Sequence, residues 1–373
     1  MRGAGAIVAF AAAIAVGGSW PWFSAHSVPA SAVSPAPLAT DYRQRNAIVG
    51  FYEAQLRLDS DDQVTARTLG GEYLQRFREI GDLNDVTRAI AMANRSLRLQ
   101  PSGNVQALMV LASGDVAYHR FAAALSAERA ADEAAPFDDG VHAQIASILM
   151  EMGRYEAAGR ILARQPGPDP DPTWMSIRAR YDELTGNLAG ARVQMNAATA
   201  LVDEMMTVPA YTRSWYHMRD GQLAFEAGDG AAASEEFDES LRDYPDNAMA
   251  LLFEAKLYRA HHDWRRALAS ASRSADLYPL PQALGYEADA QRALGDDEAA
   301  RRTDALIRAE QQLFNAQGIN DRLLAMYYAE HREHLGDALT AARSDVAKRG
   351  NEIYADDTMA WVLAAMGRWR EAR

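Results

Sequence analysis

The residues with the clearest chemical potential lie at positions 330–334, where two histidines and two glutamates surround an arginine. His331 and His334 are three apart, so on a helix they would share a face and could in principle hold a metal ion. Their spacing does not match the common zinc sites, which favours a solvated, charged helix end. His261 and His262 are adjacent in sequence, and adjacent side chains on a helix point apart. No metal site is predicted from either pair.

The other candidate groups also fall short of a catalytic site. Asp169 and Asp171 flank a proline, a pattern typical of a turn with a capping aspartate, whereas calcium needs six or more oxygens. Lys256 and Lys348 are the only lysines and each follows alanine, so no P-loop is present, and no other common catalytic motif occurs. The absence of cysteine excludes disulfides and thiolate nucleophiles. The sequence therefore predicts no enzyme, no cofactor and no metal.

Charge and composition narrow the class of partner. The 373-residue chain has 51 acidic and 38 basic residues, giving a formal net charge of −13. Nucleic acid binding requires clustered positive charge, so we expect no nucleic acid partner. Good helix formers are abundant, and alternating runs of β-branched residues are missing, which predicts helices without a sizeable sheet.

Alanines recur at intervals near 34 residues, which is typical of stacked helical repeats rather than of one closed core. Glycines five residues before several of them, such as Gly228 before Ala233, predict the end of a first helix. Prolines twelve residues after them, such as Pro245, predict the boundary to the next unit. We call these small residues the joint alanines; they are Ala89, Ala124, Ala158, Ala191, Ala233, Ala267, Ala300, Ala338 and Ala372.

The joint residues resemble the tetratricopeptide repeat family over residues 41–373. The clearest unit, residues 213–245, has Gly221, Phe237 and the residues named above in that family's positions. The resemblance implies an all-α solenoid, or α-α superhelix, of about eight to nine helix-turn-helix units. The order of units is also similar to exported bacterial multi-repeat proteins of unassigned role.

Some units depart from the family pattern. Ala89 follows its turn at Gly81 by eight residues, which predicts an insertion of three in the first unit. His119, His262 and Glu333 stand where the turn glycine is expected. Five aromatic residues near inter-helix positions are predicted to be core: Trp174, Tyr181, Trp264, Trp361 and Trp369.

Residues 1–32 form a separate element, with a short positive start and an uncharged stretch at residues 3–25. This layout predicts a secretory signal cleaved after the A-x-A site at residues 30–32. An uncleaved anchor is the alternative, because 23 uncharged residues could just span a bilayer of about 30 Å. Residues 33–40 are a Pro-, Ala- and Ser-rich linker. Either reading places the folded part outside the cytoplasm, whether periplasmic, secreted or tethered.

The resemblance also implies where a partner would bind, because the first helix of each tetratricopeptide unit lines the concave groove. Lys256, Arg259 and Arg292 would pair with carboxylates there, and apolar residues would anchor a peptide or partner helix. The sequence thus predicts an exported, non-catalytic protein-interaction scaffold. The candidate groove residues are Trp215, Met218, Gln222, Phe225, Glu226, Met249, Leu252, Lys256, Arg259, Asp289 and Arg292.

Two alternatives concern the end of the chain and the histidines. Residue 373 falls three residues into an expected second helix, which would leave Trp361, Leu363 and Trp369 uncovered. This favours a truncated chain over one whose end is covered by a partner subunit. The repeats would then be the targeting region of a longer enzyme, or of a secretion or envelope assembly, whose other domain lies beyond residue 373. A metal-binding or hydrolytic protein that uses His331 ranks behind both.

Overall fold

The computed structural model describes residues 41–164, 171–316, 322–350 and 352–372. The predicted signal, its linker and Asp169 lie outside these residues. Eighteen α-helices and no strand are found in the part of the chain described. The helices are α1 (Asp41–Leu58), α2 (Gln63–Ile80), α3 (Leu83–Leu99), α4 (Val105–Ala117), α5 (Phe121–Ala134), α6 (Asp139–Glu151), α7 (Tyr155–Leu162), α8 (Pro172–Leu184), α9 (Leu188–Glu204), α10 (Ala210–Glu226), α11 (Gly230–Asp243), α12 (Ala248–Ala260), α13 (Trp264–Leu277), α14 (Pro281–Ala293), α15 (Asp297–Ala316), α16 (Arg322–His331), α17 (Leu335–Arg349) and α18 (Ile353–Ala365).

These helices confirm the predicted all-α repeat class. From α2 to α17 they form eight helix-turn-helix pairs; α1 precedes the pairs and α18 is the first helix of a ninth. None of the helices formed by the described residues is long and apolar enough to cross a membrane.

The chain folds as two compact units. Unit 1 consists of the described residues up to 150 together with 155–220 and 242–245. Unit 2 consists of residues 151–154 and 221–241 and of the described residues from 246 onward. Unit 1 therefore holds α1 to α9, apart from the last residue of α6, and most of α10. Unit 2 holds the end of α10, most of α11 and all of α12 to α18.

The joint alanines lie where the sequence predicts the helices to cross. Eight of the nine have 1% or less of their surface exposed, and Ala372 packs partly buried against the core of unit 2. From α5 to α17, each is the fourth residue of the second helix in its pair. Ala89 is instead the seventh residue of α3, which confirms the three-residue insertion in the first unit. The spacing of the repeat is thus set by one small side chain per joint.

The turns between paired helices are made largely as predicted. Gly228 is left-handed, with φ 78°, and four other predicted glycines share this conformation. His119 and His262 adopt φ 57° and 58° in place of glycine. The prediction for Glu333 is wrong, because the left-handed residues of this turn are its neighbours Arg332 and His334, with φ 55° and 46°. The four glycines are Gly153, Gly186, Gly295 and Gly367.

Residue Asp171 has the capping role predicted for its turn. Its side chain accepts a hydrogen bond of 2.8 Å from the backbone N–H of Thr173 at the start of α8. Pro172 is the first residue of this helix, where its missing N–H costs no hydrogen bond. Asp171 and Pro172 thus begin α8 as a capping aspartate and a first-turn proline.

Unit 1 contains one helix without a solvent face. Every residue of α6 from position 140 to 151 is buried, although the first helices of an open solenoid keep one face accessible. In the same unit, the end of α2 reaches the later helices, since the hydroxyl of Tyr244 donates a hydrogen bond of 3.4 Å to the carbonyl oxygen of Glu79. Two stretches of unit 1 that are 165 residues apart in the sequence are therefore in contact.

The aromatic residues predicted to be core divide into two groups. Trp174 is buried, and Tyr181 and Trp264 are partly buried. Trp361 and Trp369 are 53% and 61% exposed, so the core prediction is wrong for both. Leu363, by contrast, is buried in the core of unit 2, which corrects the expectation that it lies uncovered.

We expect replacement of Ala233 by leucine to destabilise unit 2. Ala233 is fully buried with Ala224, Phe237 and Leu257, so three added carbon atoms would overpack the joint by about 1–3 kcal/mol. Ala231→Leu in the same helix is the matched control, because Ala231 is exposed and its change should stay within about 0.5 kcal/mol. Urea unfolding measures the free energy of unfolding of both variants. Equal losses in the two variants would contradict the role of Ala233 as a tightly packed joint.

Unit 1 holds a buried acid without a partner. Glu128 in α5 is 1% exposed, and neither carboxylate oxygen has a hydrogen-bond partner among the described residues. Burial raises its pKa to about 8, with a smaller contribution from the nearby charge of Asp138. The protonated, neutral form is therefore the one that this core accommodates at neutral pH.

Glu128→Gln should remove a pH dependence of stability. The raised folded-state pKa means that Glu128 stabilises unit 1 fully below its unfolded pKa of about 4.5 and loses this contribution as the pH rises through about 8. We expect the wild type to lose on the order of 1 kcal/mol or more between about pH 5 and pH 9, and E128Q to lose less. Glu133→Gln, at an exposed position of the same helix, should follow the wild type. Parallel curves for wild type and E128Q would contradict this role of Glu128.

Candidate functional site

The candidate groove residues do not all lie at the surface. Met218, Met249 and Leu252 are 1%, 6% and 1% exposed, because the packing around α10 and α12 encloses them. They serve the core, and this corrects their assignment to the groove. Trp215, Gln222 and Phe225 are partly buried, and Glu226 is exposed. Trp215 belongs to unit 1, whereas the other three lie at the end of α10 in unit 2.

Four of the remaining candidates lie on one line of unit 2. Lys256 and Asp289 each precede their joint alanine, Ala267 or Ala300, by eleven residues, and Arg259 and Arg292 precede the same alanines by eight. Tyr327 and Glu330 have the same two offsets from Ala338. Equal offsets place these side chains at equivalent positions of α12, α14 and α16. These six residues and two neighbours, Phe225 and His331, make up what we call the α12–α16 surface; Tyr327 is buried beneath it, with 7% of its surface exposed.

Arg259 is the central cation of this surface. Its Nε lies 3.2 Å from Oδ2 of Asp289 on α14, and its guanidinium also pairs with Glu330 on α16. The guanidinium stacks over the ring of Tyr286, 5.0 Å from the centroid. Burial opposes its charge, but the two carboxylates keep its pKa raised. One side chain of α12 is thereby fixed to the next two first helices.

A second arginine extends the network to a second helix of a pair. Arg292 Nη2 binds both carboxylate oxygens of Asp304 on α15, at 2.7 and 2.6 Å, and its Nη1 lies 3.3 Å from Oδ1 of Asp289. The hydroxyl of Tyr327 donates to Asp304 at 3.1 Å. Burial raises the pKa of Tyr327, and the charge of Asp304 raises it further. The phenol is therefore a neutral donor that helps to hold the carboxylate.

Lys256 differs from both arginines. No carboxylate lies within ion-pair distance of its ammonium among the described residues, and its Nζ instead lies 5.2 Å from the ring centroid of Phe225. Burial lowers its pKa and the charge of Arg259 lowers it further, although Glu226 and Glu330 act in the opposite direction. A half-buried ammonium in this position gains most from an incoming carboxylate, because it has given up water without a full counter-charge.

The histidines have roles that the sequence did not predict. The imidazole of His331 is partly buried and lies 2.8 Å from Asp289, so it belongs to the α12–α16 surface. His334 follows α16 in a left-handed turn and faces Asp337 at 3.8 Å, so the two histidines do not share a helical face. No group of three metal-ligating side chains occurs among the described residues. His261 and His262 are exposed.

Sequence reasoning missed Glu330 and His331 of this surface, and Tyr327, which is buried beneath it. The signal was present, since Tyr327 and Glu330 have the same offsets from Ala338 as their counterparts have from Ala267 and Ala300. The unit before Gly350 matches the repeat poorly, and its turn lacks glycine, so the sequence alone does not define which of its residues are equivalent to those of the other units.

Several solved structures are similar to this chain. The chain of the APC/C hetero-tetramer Cut9-Hcn1 is 16% identical with a TM-score of 0.56, and the match covers 68% of this chain and 48% of that one. The human IFIT1 dimer with PPP-AAAA is 13% identical with a TM-score of 0.56, covering 83% and 70%. A tetratricopeptide repeat protein from Parabacteroides merdae is 12% identical with a TM-score of 0.47, covering 72% and 96%.

The chain thus spans about half the length of the first of these structures. No protein-family model and no curated protein matches the sequence. At these identities the likeness to the two structures with a TM-score of 0.56 is one of fold. The helices of this chain have the fold of tetratricopeptide repeat proteins, as the resemblance in sequence predicted.

Proposed function

We propose that this chain is an exported, non-catalytic scaffold that binds an extended peptide or a helix of a partner protein, and that the α12–α16 surface is its binding site. Gln222 and Glu226 lie beside this surface at the end of α10 and are proposed to extend it. Trp215 remains a proposed contact in unit 1. Export rests on the signal-like pattern of residues 1–32 alone.

The observation that carries this proposal is the line of charged and aromatic side chains at equivalent positions of three first helices. Ion pairs and ring contacts hold Arg259 and Arg292 in single positions before a partner arrives. Such preorganisation leaves most of the ordering entropy to the ligand, which favours binding of a flexible segment. Partly exposed arginine and aromatic groups are also the residue types enriched at the centres of interfaces.

The charges of the surface indicate the kind of partner. Asp289, Asp304 and Glu330 already neutralise the two arginines, whereas Lys256 of the same surface has no paired carboxylate among the residues that the structure describes. A partner that brings an acidic side chain next to Phe225 would supply the missing charge. We therefore propose that the partner segment is acidic where it meets α12.

Lys256→Glu should weaken partner binding by about tenfold or more, since it replaces an attractive charge by a repulsive one near the centre of the surface. Affinity capture from the exported fraction with residues 33–373 as bait, followed by quantitative mass spectrometry, measures the loss. Circular dichroism should show unchanged helical content.

Lys348→Glu is the matched control, because Lys348 is the chain's other lysine and is exposed on α17. It makes the same change in net charge away from the α12–α16 surface. Equal recovery of the captured partners by wild type, K256E and K348E would overturn the assignment of the site.

A further inference from the structure

The imidazole of His331 is surrounded by hydrogen-bond acceptors. Its Nε2 lies 2.8 Å from Oδ1 of Asp289, and its Nδ1 lies 2.9 Å from the backbone carbonyl oxygen of Tyr327. A carboxylate and a carbonyl can only accept, and a neutral imidazole has one N–H to donate. Only the imidazolium form, with two N–H groups, satisfies both contacts at once.

We propose that His331 is a protonation-controlled latch, which ties the end of α16 to α14 when it is charged and releases it when it is neutral. The position in the fold supports the charged form independently of the hydrogen bonds. His331 is the last residue of α16, where the unpaired carbonyl groups of a helix favour a cation. Its ring also lies 4.2 Å from the ring of Tyr327, in a contact that favours a cationic partner.

The charged groups around His331 come from four helices. Asp289 and Arg292 face it from α14, Glu330 and Tyr327 lie on its own helix, and Arg259 reaches the same carboxylates from α12. Asp304 of α15 meets this group through the Tyr327 hydroxyl. Burial disfavours the imidazolium, but the hydrogen bonds to Asp289 and to the Tyr327 carbonyl, with the charges of Asp289 and Glu330, leave its pKa raised above 6.5.

Loss of the proton would disturb the carboxylate that the latch shares. Oδ1 of Asp289 accepts from both His331 and Arg292, while Oδ2 receives Arg259. In either neutral tautomer one ring nitrogen presents a lone pair to an acceptor, so one of the two contacts becomes repulsive. The end of α16 then loses either its bond to α14 or the bond that closes its own last turn.

The latch would also affect partner binding, an inference that rests on the proposed function. Protonation adds a positive charge to the α12–α16 surface and fixes the helix that carries Glu330, so both effects favour an acidic partner at lower pH. Because the folded-state pKa of His331 is raised, its stabilising contribution is fully present below the unfolded pKa of about 6.5 and is lost as the pH rises through the folded value.

The test follows the histidines by nitrogen-detected NMR in the full chain, without any ligand. We expect the titration midpoint of His331 to lie above that of exposed His262, which serves as the internal reference, and both ring nitrogens of His331 to be protonated below that midpoint. In Asp289→Asn the midpoint of His331 should fall. Hydrogen exchange should show that protection of residues 327–331 declines above the His331 midpoint in wild type but not in His331→Arg, which keeps a permanent charge.

The latch would be overturned if the titration midpoint of His331 were at or below that of His262. It would also be overturned if hydrogen-exchange protection of α16 did not change as the pH passes the His331 midpoint. The proposed function fails separately, when the partners captured by wild type and K256E are the same. If both the latch and a captured partner are found, recovery of that partner by the wild type should fall when the pH exceeds the His331 midpoint. Recovery by H331R should stay constant over the same pH range. Equal pH dependence of the two proteins would show that the latch does not control binding.

Discussion

The close crossing of two helices at a single small side chain is the constraint on which this structure depends. Eight of the nine joint alanines have 1% or less of their surface exposed, so a larger residue at these positions would push the paired helices apart. A joint of fixed size gives helix pairs of nearly constant geometry, and side chains at equal distances from the joints then fall into register. The α12–α16 surface exists because Lys256, Asp289 and Tyr327 share one such distance.

The polar groups of that surface illustrate how a chain with a net negative charge can still attract an acidic partner through a single cation. Arg259 and Arg292 are held by carboxylates of the chain itself, which fixes their geometry and removes most of their net charge. Lys256 is partly desolvated but packs on an aromatic ring instead of an acid. Attraction for an acidic partner is therefore concentrated on one group, while its neighbours provide shape and hydrogen bonds.

The fold could be predicted because it depends on short-range features of the sequence. A left-handed glycine or a proline acts within a few residues, so the turns and joints could be read directly, including the insertion before Ala89. Whether a side chain is exposed depends on residues that pack against it from distant parts of the sequence, and several predictions of exposure were wrong for this reason. Met218 and Leu252 have groove positions but are enclosed, whereas Trp361 looks like core and is exposed. The link between His331 and Asp289 joins residues 42 apart, a distance at which no short motif operates.

The complete burial of α6 has a consequence for how unit 1 comes apart. In a linear array each repeat touches only its neighbours, so such arrays can fray from their ends and tolerate the loss or duplication of a repeat. In unit 1, by contrast, α6 is buried and the hydrogen bond between Tyr244 and Glu79 joins repeats that are 165 residues apart. We infer that unit 1 unfolds as a single cooperative body and that a whole repeat could not be added or removed there without exposing α6 to water.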